Sequence, residues 1–130
     1  PLAVHNKVLK KSKVVGNKEK TGQVIRNILD NAIRYINKSG HITITITETD
    51  DYIKVGITDT GPGIKPGEQK KIFEKFYRIR DEKNRSIGSG LGLSIASNII
   101  KSQGGQIWVE SKYGEGATFY FTLLKEIHNE

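Results

Sequence analysis

The sequence predicts a single α+β domain, and three observations predict it. Residues 18–37 repeat apolar side chains at helical spacing, two later stretches alternate apolar and polar residues strictly, and a second helical run precedes two further strand-like runs. A chain of 130 residues with 35% hydrophobic content can supply one core of ordinary domain size.

In chain order, the opening PLAVHNKVLKKSKVVGNKEK is lysine-rich with short apolar pairs, so an edge strand or two is expected, and the N-terminus reads as cut from a longer chain. Over 18–37, Ile25, Ile28, Leu29, Ala32, Ile33 and Ile36 define a helical face, and Gly40 follows as a stop signal. HITITITE then sets Ile42, Ile44 and Ile46 on one face and Thr43, Thr45 and Thr47 on the other. DYIKVGITD repeats this at Ile53, Val55 and Ile57, and the turn residues Asp50 and Asp51 join the two strands as a hairpin. DTGPGIKPG is too rich in Gly and Pro to be anything but a loop. A short helix is expected over 68–77, with Ile72, Phe73, Phe76 and Tyr77 on one side, and the charged, glycine-rich 78–90 has nothing to anchor it and is expected to be mobile. LGLSIASNIIKSQ reads as a helix closed by Gly104-Gly105, followed by the strands QIWVE and ATFYFTLL around an SKYGEG turn.

Composition narrows the function. No apolar run reaches the roughly 18 residues of a membrane helix, and no signal peptide is legible, so a soluble, cytoplasmic piece without membrane contact is expected. The absence of cysteine removes disulfides and thiolate metal sites, and His5, His41 and His128 are too scattered to suggest a metal cluster. A formal charge of +7 suits an anionic ligand. Nucleic acid is not the expected partner, because no Arg/Lys stripe interleaved with aromatics accompanies the charge.

Three features carry chemistry. Period two runs the core face of the second strand from Ile53, Val55 and Ile57 onward to Asp59, so a carboxylate points where apolar groups point. An unpaired buried charge is costly, so a ligand donor such as the amino group of a flat base would suit it; the alternative is plain turn chemistry ahead of Thr-Gly-Pro-Gly. On the first helix, Asn27, Asn31 and Arg34 cluster, with Tyr35 beside Asn31 and Ile25, Leu29, Ala32 and Ile36 opposite. A solvated face, which is the alternative reading, would mostly carry Lys and Glu, whereas asparagine carbonyls suit a hard cation such as Mg²⁺ that takes its other oxygens from phosphates; Arg34 would then neutralise phosphate and Tyr35 stack on a base. Lastly, Gly88, Gly90 and Gly92 precede the second helix, whose free N–H groups attract phosphate, although G-x-G-x-G matches neither the dinucleotide fingerprint nor a P-loop and also suits a simple flexible helix entry.

The order of these stretches, NILDNAIRY, DTGPGI, KIFEKFYR, GSGLGLSIA and GEGATFYF, resembles the catalytic and ATP-binding domain of sensor histidine kinases over about 17–124. That family belongs with the gyrase, mismatch-repair and heat-shock chaperone ATPases. The resemblance implies a two-layer α/β sandwich: a mixed, mostly antiparallel sheet with three helices on one face, and ATP with Mg²⁺ held beneath a flexible lid.

Carried over, Asn31 resembles the Mg²⁺ ligand and Asn27 its helix-mate facing the phosphates, a second candidate for the metal. Arg34 and Tyr35 match phosphate and adenine contacts, and Asp59 matches the acceptor for the adenine amino group. Gly61 and Gly63 would let backbone and a water approach the base, with Ile64 as a wall. Phe73, Phe76 and Tyr77 look like lid anchors, Lys75 and Arg78 would reach the γ-phosphate, and Gly88, Gly90, Leu91 and Gly92 match the phosphate loop. Thr118 is assigned a water-mediated adenine contact, with Ala117 competing for that position.

Departures matter too. Gyrase-like relatives carry a glutamate base where this chain has Asn27, and an amide cannot activate water, which argues against autonomous ATP hydrolysis. The usual Asp-Pro-x-Arg-Leu before the first helix is here Asn17-Lys18-Glu19-Lys20-Thr21, which leaves the helix start open. No histidine has an H-box context. The implied phosphoacceptor is therefore a histidine on a separate dimerisation domain, with a response-regulator receiver domain downstream and this fragment monomeric alone. Two rivals are a serine-phosphorylating anti-sigma-factor type kinase of the same superfamily and a nucleotide-sensing domain without catalysis.

Overall fold

The structure, a computed structural model, describes residues 2–6, 13–36, 40–77 and 91–126. Its elements are β1 (Leu2–Asn6), α1 (Lys18–Tyr35), β2 (Ile42–Glu48), β3 (Tyr52–Asp59), 3-10 turns at Pro66–Glu68 and Lys71–Phe73, α2 (Gly92–Ser102), β4 (Ile107–Ser111) and β5 (Ala117–Leu124). The mobile segment expected at 78–90 lies outside the described residues.

Strict alternation in β2 and β3 makes a hairpin with one apolar face, closed where the Thr49 N–H donates to the Tyr52 carbonyl at 2.9 Å. The sheet order is β1-β2-β3-β5-β4. β1 runs parallel to β2 at one edge, and every other neighbouring pair is antiparallel. The expected α+β sandwich with a mixed, mostly antiparallel sheet is therefore the fold observed.

Register puts Ile44, Ile57, Phe119 and Val109 in one row of the inner face and Ile46, Val55, Phe121 and Ile107 in the next. The helices cover this face with Val24, Ile28 and Ala32 of α1 and Ala96 and Ile100 of α2, all buried. Fully buried side chains such as Phe119, Phe121, Ile28 and Ile57 each contribute about 1.5–3 kcal/mol relative to exposure. Val24 is a core residue that the apolar spacing read from Ile25 onward omitted, whereas Ile33 is 59% exposed. The outer face carries Thr43, Thr58 and Thr118 in one row and Thr45, Tyr120 and Trp108 in the next, with Trp108 stacked on Tyr120 at 5.3 Å.

Asn17 settles where α1 starts. Its side-chain oxygen accepts from the N–H groups of Glu19 and Lys20 at 2.9 and 3.1 Å, an N-cap that satisfies two otherwise orphaned donors. The two helices run antiparallel: Gln103, after α2, accepts from the Asn17 N–H at 2.8 Å, and Asn27 of α1 reaches Gly92 at the start of α2.

The short helix expected over 68–77 is instead two single 3-10 turns. Glu74 is extended and Phe76 adopts a left-handed φ of 65°, so the helical period breaks after Ile72 has been buried and Phe73 half-buried. Phe73 meets Phe119 edge-on at 6.1 Å, Tyr77 donates its hydroxyl to Glu68 at 2.8 Å, and Phe76 is 63% exposed. With α1 and α2, these turns complete the layer on the inner face.

Candidate nucleotide site

Asp59 ends β3 in the last row of the inner face, paired to Ile42 on one side and Ala117 on the other. It is 5% exposed. Burial pushes its carboxyl above the ordinary value, and the N–H groups of Gly61 and Ala117 pull it partly back. The Gly61 bond is 2.9 Å long. A carboxylate accepts more bonds than these two, so the group retains capacity for a donor from a ligand.

The loop after Asp59 is held against the β4–β5 hairpin. Gly116 has φ +90°, and a Cβ there would collide with the carbonyl oxygen of Asp59. Gly63 has φ +78°, and its added Cβ would lie 2.7 Å from the carbonyl oxygen of Lys112. Ile64, 7% exposed, belongs to the hydrophobic core beside this loop.

On α1, Asn27 and Asn31 are both half-buried, and Arg34, on the same side, is exposed. Asn27 Nδ2 donates to the Gly92 carbonyl at 3.0 Å, which ties the amide face to the entry of α2 and turns the side-chain oxygen into its remaining polar function. A Cβ on Gly92 would sit 3.9 Å from Asn27, so backbone and amide are in contact there. Leu91 precedes α2, and its carbonyl accepts from the Ser94 hydroxyl at 2.9 Å. Among the described residues no group of three His, Cys, Asp or Glu side chains is placed to hold a metal. The asparagine carbonyls of this face fit a hard cation only if phosphate oxygens complete its shell.

Not every predicted residue joins this arrangement. Thr118 lies apart from it: its hydroxyl is 2.9 Å from that of Thr58 on the outer face, while the residue beside Asp59 is Ala117. The side chains of consecutive strand residues point to opposite faces, so the two candidates were mutually exclusive. Lys75 is exposed, with its ammonium 5.2 Å from the Phe76 ring. Arg78, Gly88, Gly90 and the Tyr35 side chain lie outside the described residues. Ser111 and Gln69, both bonded to Ile64 in the loop after Asp59, were not singled out in the sequence, where their only signal is proximity to glycine-rich turns. An open depression of about 380 Å³ borders Thr58, Thr118, Glu110 and Ala117, and Asp59 does not line it.

Comparison with known proteins closes the question of kinship. The histidine kinase-, DNA gyrase B-, and HSP90-like ATPases match residues 16–127. The chain belongs to this family. The adaptive-response sensory kinase SasA of Parasynechococcus marenigrum (strain WH8102) is 41% identical over 112 residues, 85% of this chain and 29% of that protein. The sensor histidine kinase WalK of Bacillus subtilis (strain 168) is 37% identical over 110 residues, 82% of this chain and 18% of that protein. The chain thus spans less than a third of the length of these curated relatives. Among solved structures, the catalytic domain of histidine kinase ThkA superposes with a TM-score of 0.81 at 30% identity, covering 95% of this chain and 79% of that one. ThkA is also solved in complex with the response regulator protein TrrA, at a TM-score of 0.78 and 28% identity, covering 96% of this chain and 34% of that one. Full-length ShkA, solved with AMPPNP, matches at a TM-score of 0.76 and 25% identity over 98% of this chain and 27% of that one. Among the described residues no helix is long and apolar enough to cross a membrane.

Proposed function

We propose that this chain binds ATP with Mg²⁺ and donates the γ-phosphoryl group to a histidine on a separate dimerisation domain of a two-component sensor kinase. The observation that carries the reading is the buried Asp59 carboxylate, which accepts two backbone N–H groups and keeps capacity for the adenine amino group. Gly61, Gly63 and Ile64 would flank the base and Tyr35 would lie against it, while Asn31, helped by Asn27, would hold Mg²⁺. The triphosphate would extend toward Leu91, Gly92 and the preceding Gly88 and Gly90, with Arg34, Lys75 and Arg78 offering positive charge. When bound, Mg²⁺ neutralises phosphate charge.

The residue types also favour an imidazole over water as the nucleophile. Water needs a base to become one, and the amide of Asn27 is none. A neutral imidazole already has a nitrogen lone pair at neutral pH. In the transfer, that lone pair forms the N–P bond and the bond from phosphorus to the bridging oxygen breaks. ADP leaves with its electron pair, and the imidazole releases its other N–H proton to solvent. Kinship with SasA and WalK supports the histidine acceptor over a serine, and the ThkA–TrrA complex supports a response regulator as the next partner. The setting would be cytoplasmic and the isolated domain monomeric.

The test uses γ-labelled ATP. Alone, the chain should show negligible label; with the histidine-bearing dimerisation domain, acid-labile, alkali-stable label should appear on that domain. Strong self-labelling of the isolated chain, or acid-stable label on the acceptor, would contradict the reading.

A further inference from the structure

We infer that Ser111 and Gln69 are positioning residues that lock the 61–64 loop onto the β4–β5 hairpin and thereby set where the Asp59 carboxylate meets the base. The inference rests on the reading of Asp59 as the base acceptor.

Ser111 shares the last inner row with Asp59 and Ala117. Its hydroxyl is used twice, accepting from the Ile64 N–H at 2.7 Å and donating to the Gly116 carbonyl at 2.8 Å. Gln69 doubles the link: its Nε2 donates to the Ile64 carbonyl at 3.1 Å and to the Ser111 carbonyl at 3.0 Å. The Gly114 N–H adds a bond of 2.6 Å to the Pro62 carbonyl. The loop is therefore pinned at both ends, at Gly61 by the Asp59 carboxylate and at Ile64 by Ser111 and Gln69.

These bonds join segments 47 residues apart, Ile64 and Ser111, across the end of the sheet. Without them, Ile64 N–H and Gly116 C=O lose partners, and a loop with glycines at 61 and 63 has little intrinsic preference for the conformation that aims its N–H at Asp59. Neither side chain lies on the amide face of α1, so the effect should fall on the base and spare the phosphates.

Three probes separate these roles by calorimetry on the 130-residue chain: ATP, purine riboside triphosphate, which lacks the 6-amino group, and magnesium tripolyphosphate. The wild-type chain should prefer ATP over the purine analogue by about tenfold or more, as for a hydrogen bond to a charged acceptor. In Ser111→Ala and Gln69→Leu the preference should fall toward one, with tripolyphosphate binding unchanged. A purely structural role would weaken all three probes together and leave the preference intact, and that result in the variants would overturn the inference. Should Ser111→Ala fail to fold, Gln69→Leu decides alone, since Gln69 is only half-buried. A wild-type chain with no preference would overturn the Asp59 reading itself.

Discussion

Replacing Asp59 by Asn exchanges a charged acceptor for a neutral amide of nearly the same volume at the end of β3. If the carboxylate accepts from the adenine amino group, the loss is that of a hydrogen bond to a charged group, about 1.5–3 kcal/mol, or roughly 10- to 150-fold in affinity. The amide makes matters worse when its NH₂ faces the base amino group, because donor then meets donor. The fold should tolerate the change. Asn can keep one of the two backbone bonds from Gly61 and Ala117, and losing the other costs about 1 kcal/mol. Removing a charge that burial disfavours works in the opposite direction, so the melting temperature without nucleotide should move by no more than about 5 °C. Calorimetry with ATP and thermal denaturation of the nucleotide-free chain measure the two effects separately. An Asp59→Asn chain that melts like the wild type and binds ATP within about threefold of it would refute the assignment.

Three further outcomes follow from the same geometry. Because burial raises the Asp59 pKa, its stabilising contribution to the nucleotide-free fold is fully present below the ordinary carboxylate value of 3.8 and is lost as pH rises through the higher folded value. Base recognition needs the ionised form, so the affinity ratio of ATP to tripolyphosphate should rise over that same interval; a flat ratio counts against the carboxylate. Thr118→Val should leave ATP affinity unchanged, because its hydroxyl faces Thr58 on the outer face, and should lower stability by only about 1 kcal/mol in urea denaturation. Gly116→Ala should destabilise the chain by roughly 3 kcal/mol, combining a left-handed φ with a collision against the Asp59 carbonyl, and urea denaturation reads this directly.

Much of this was legible from local pattern. Alternation in 42–47 and 53–57 fixed the inner and outer faces of β2 and β3, and carrying that period two residues further placed Asp59 inside, where it is found at 5% exposure. The 3.6-residue period likewise separated Asn27 and Asn31 from the core stripe of α1, although it credited Ile33 with burial and passed over Val24. Residues 68–77 were read as a helix because Ile72, Phe73, Phe76 and Tyr77 have helical spacing; no sequence rule anticipates the positive φ of Phe76.

The sequence by itself determined which side chains share a face, that the chain alternates helix and strand in one α+β unit, and the order of the five motifs. Those properties live in neighbouring residues, where periods of 2 and 3.6 operate. Only the tertiary structure decided that β5 inserts between β3 and β4 and that β1 joins the β2 edge in parallel. It also decided that Ala117 rather than Thr118 stands beside Asp59. A register shift of one residue exchanges those two faces, and register is set by pairing between strands far apart in sequence. The Asn27–Gly92 and Ser111–Ile64 hydrogen bonds are of the same kind: each joins segments that only packing brings together.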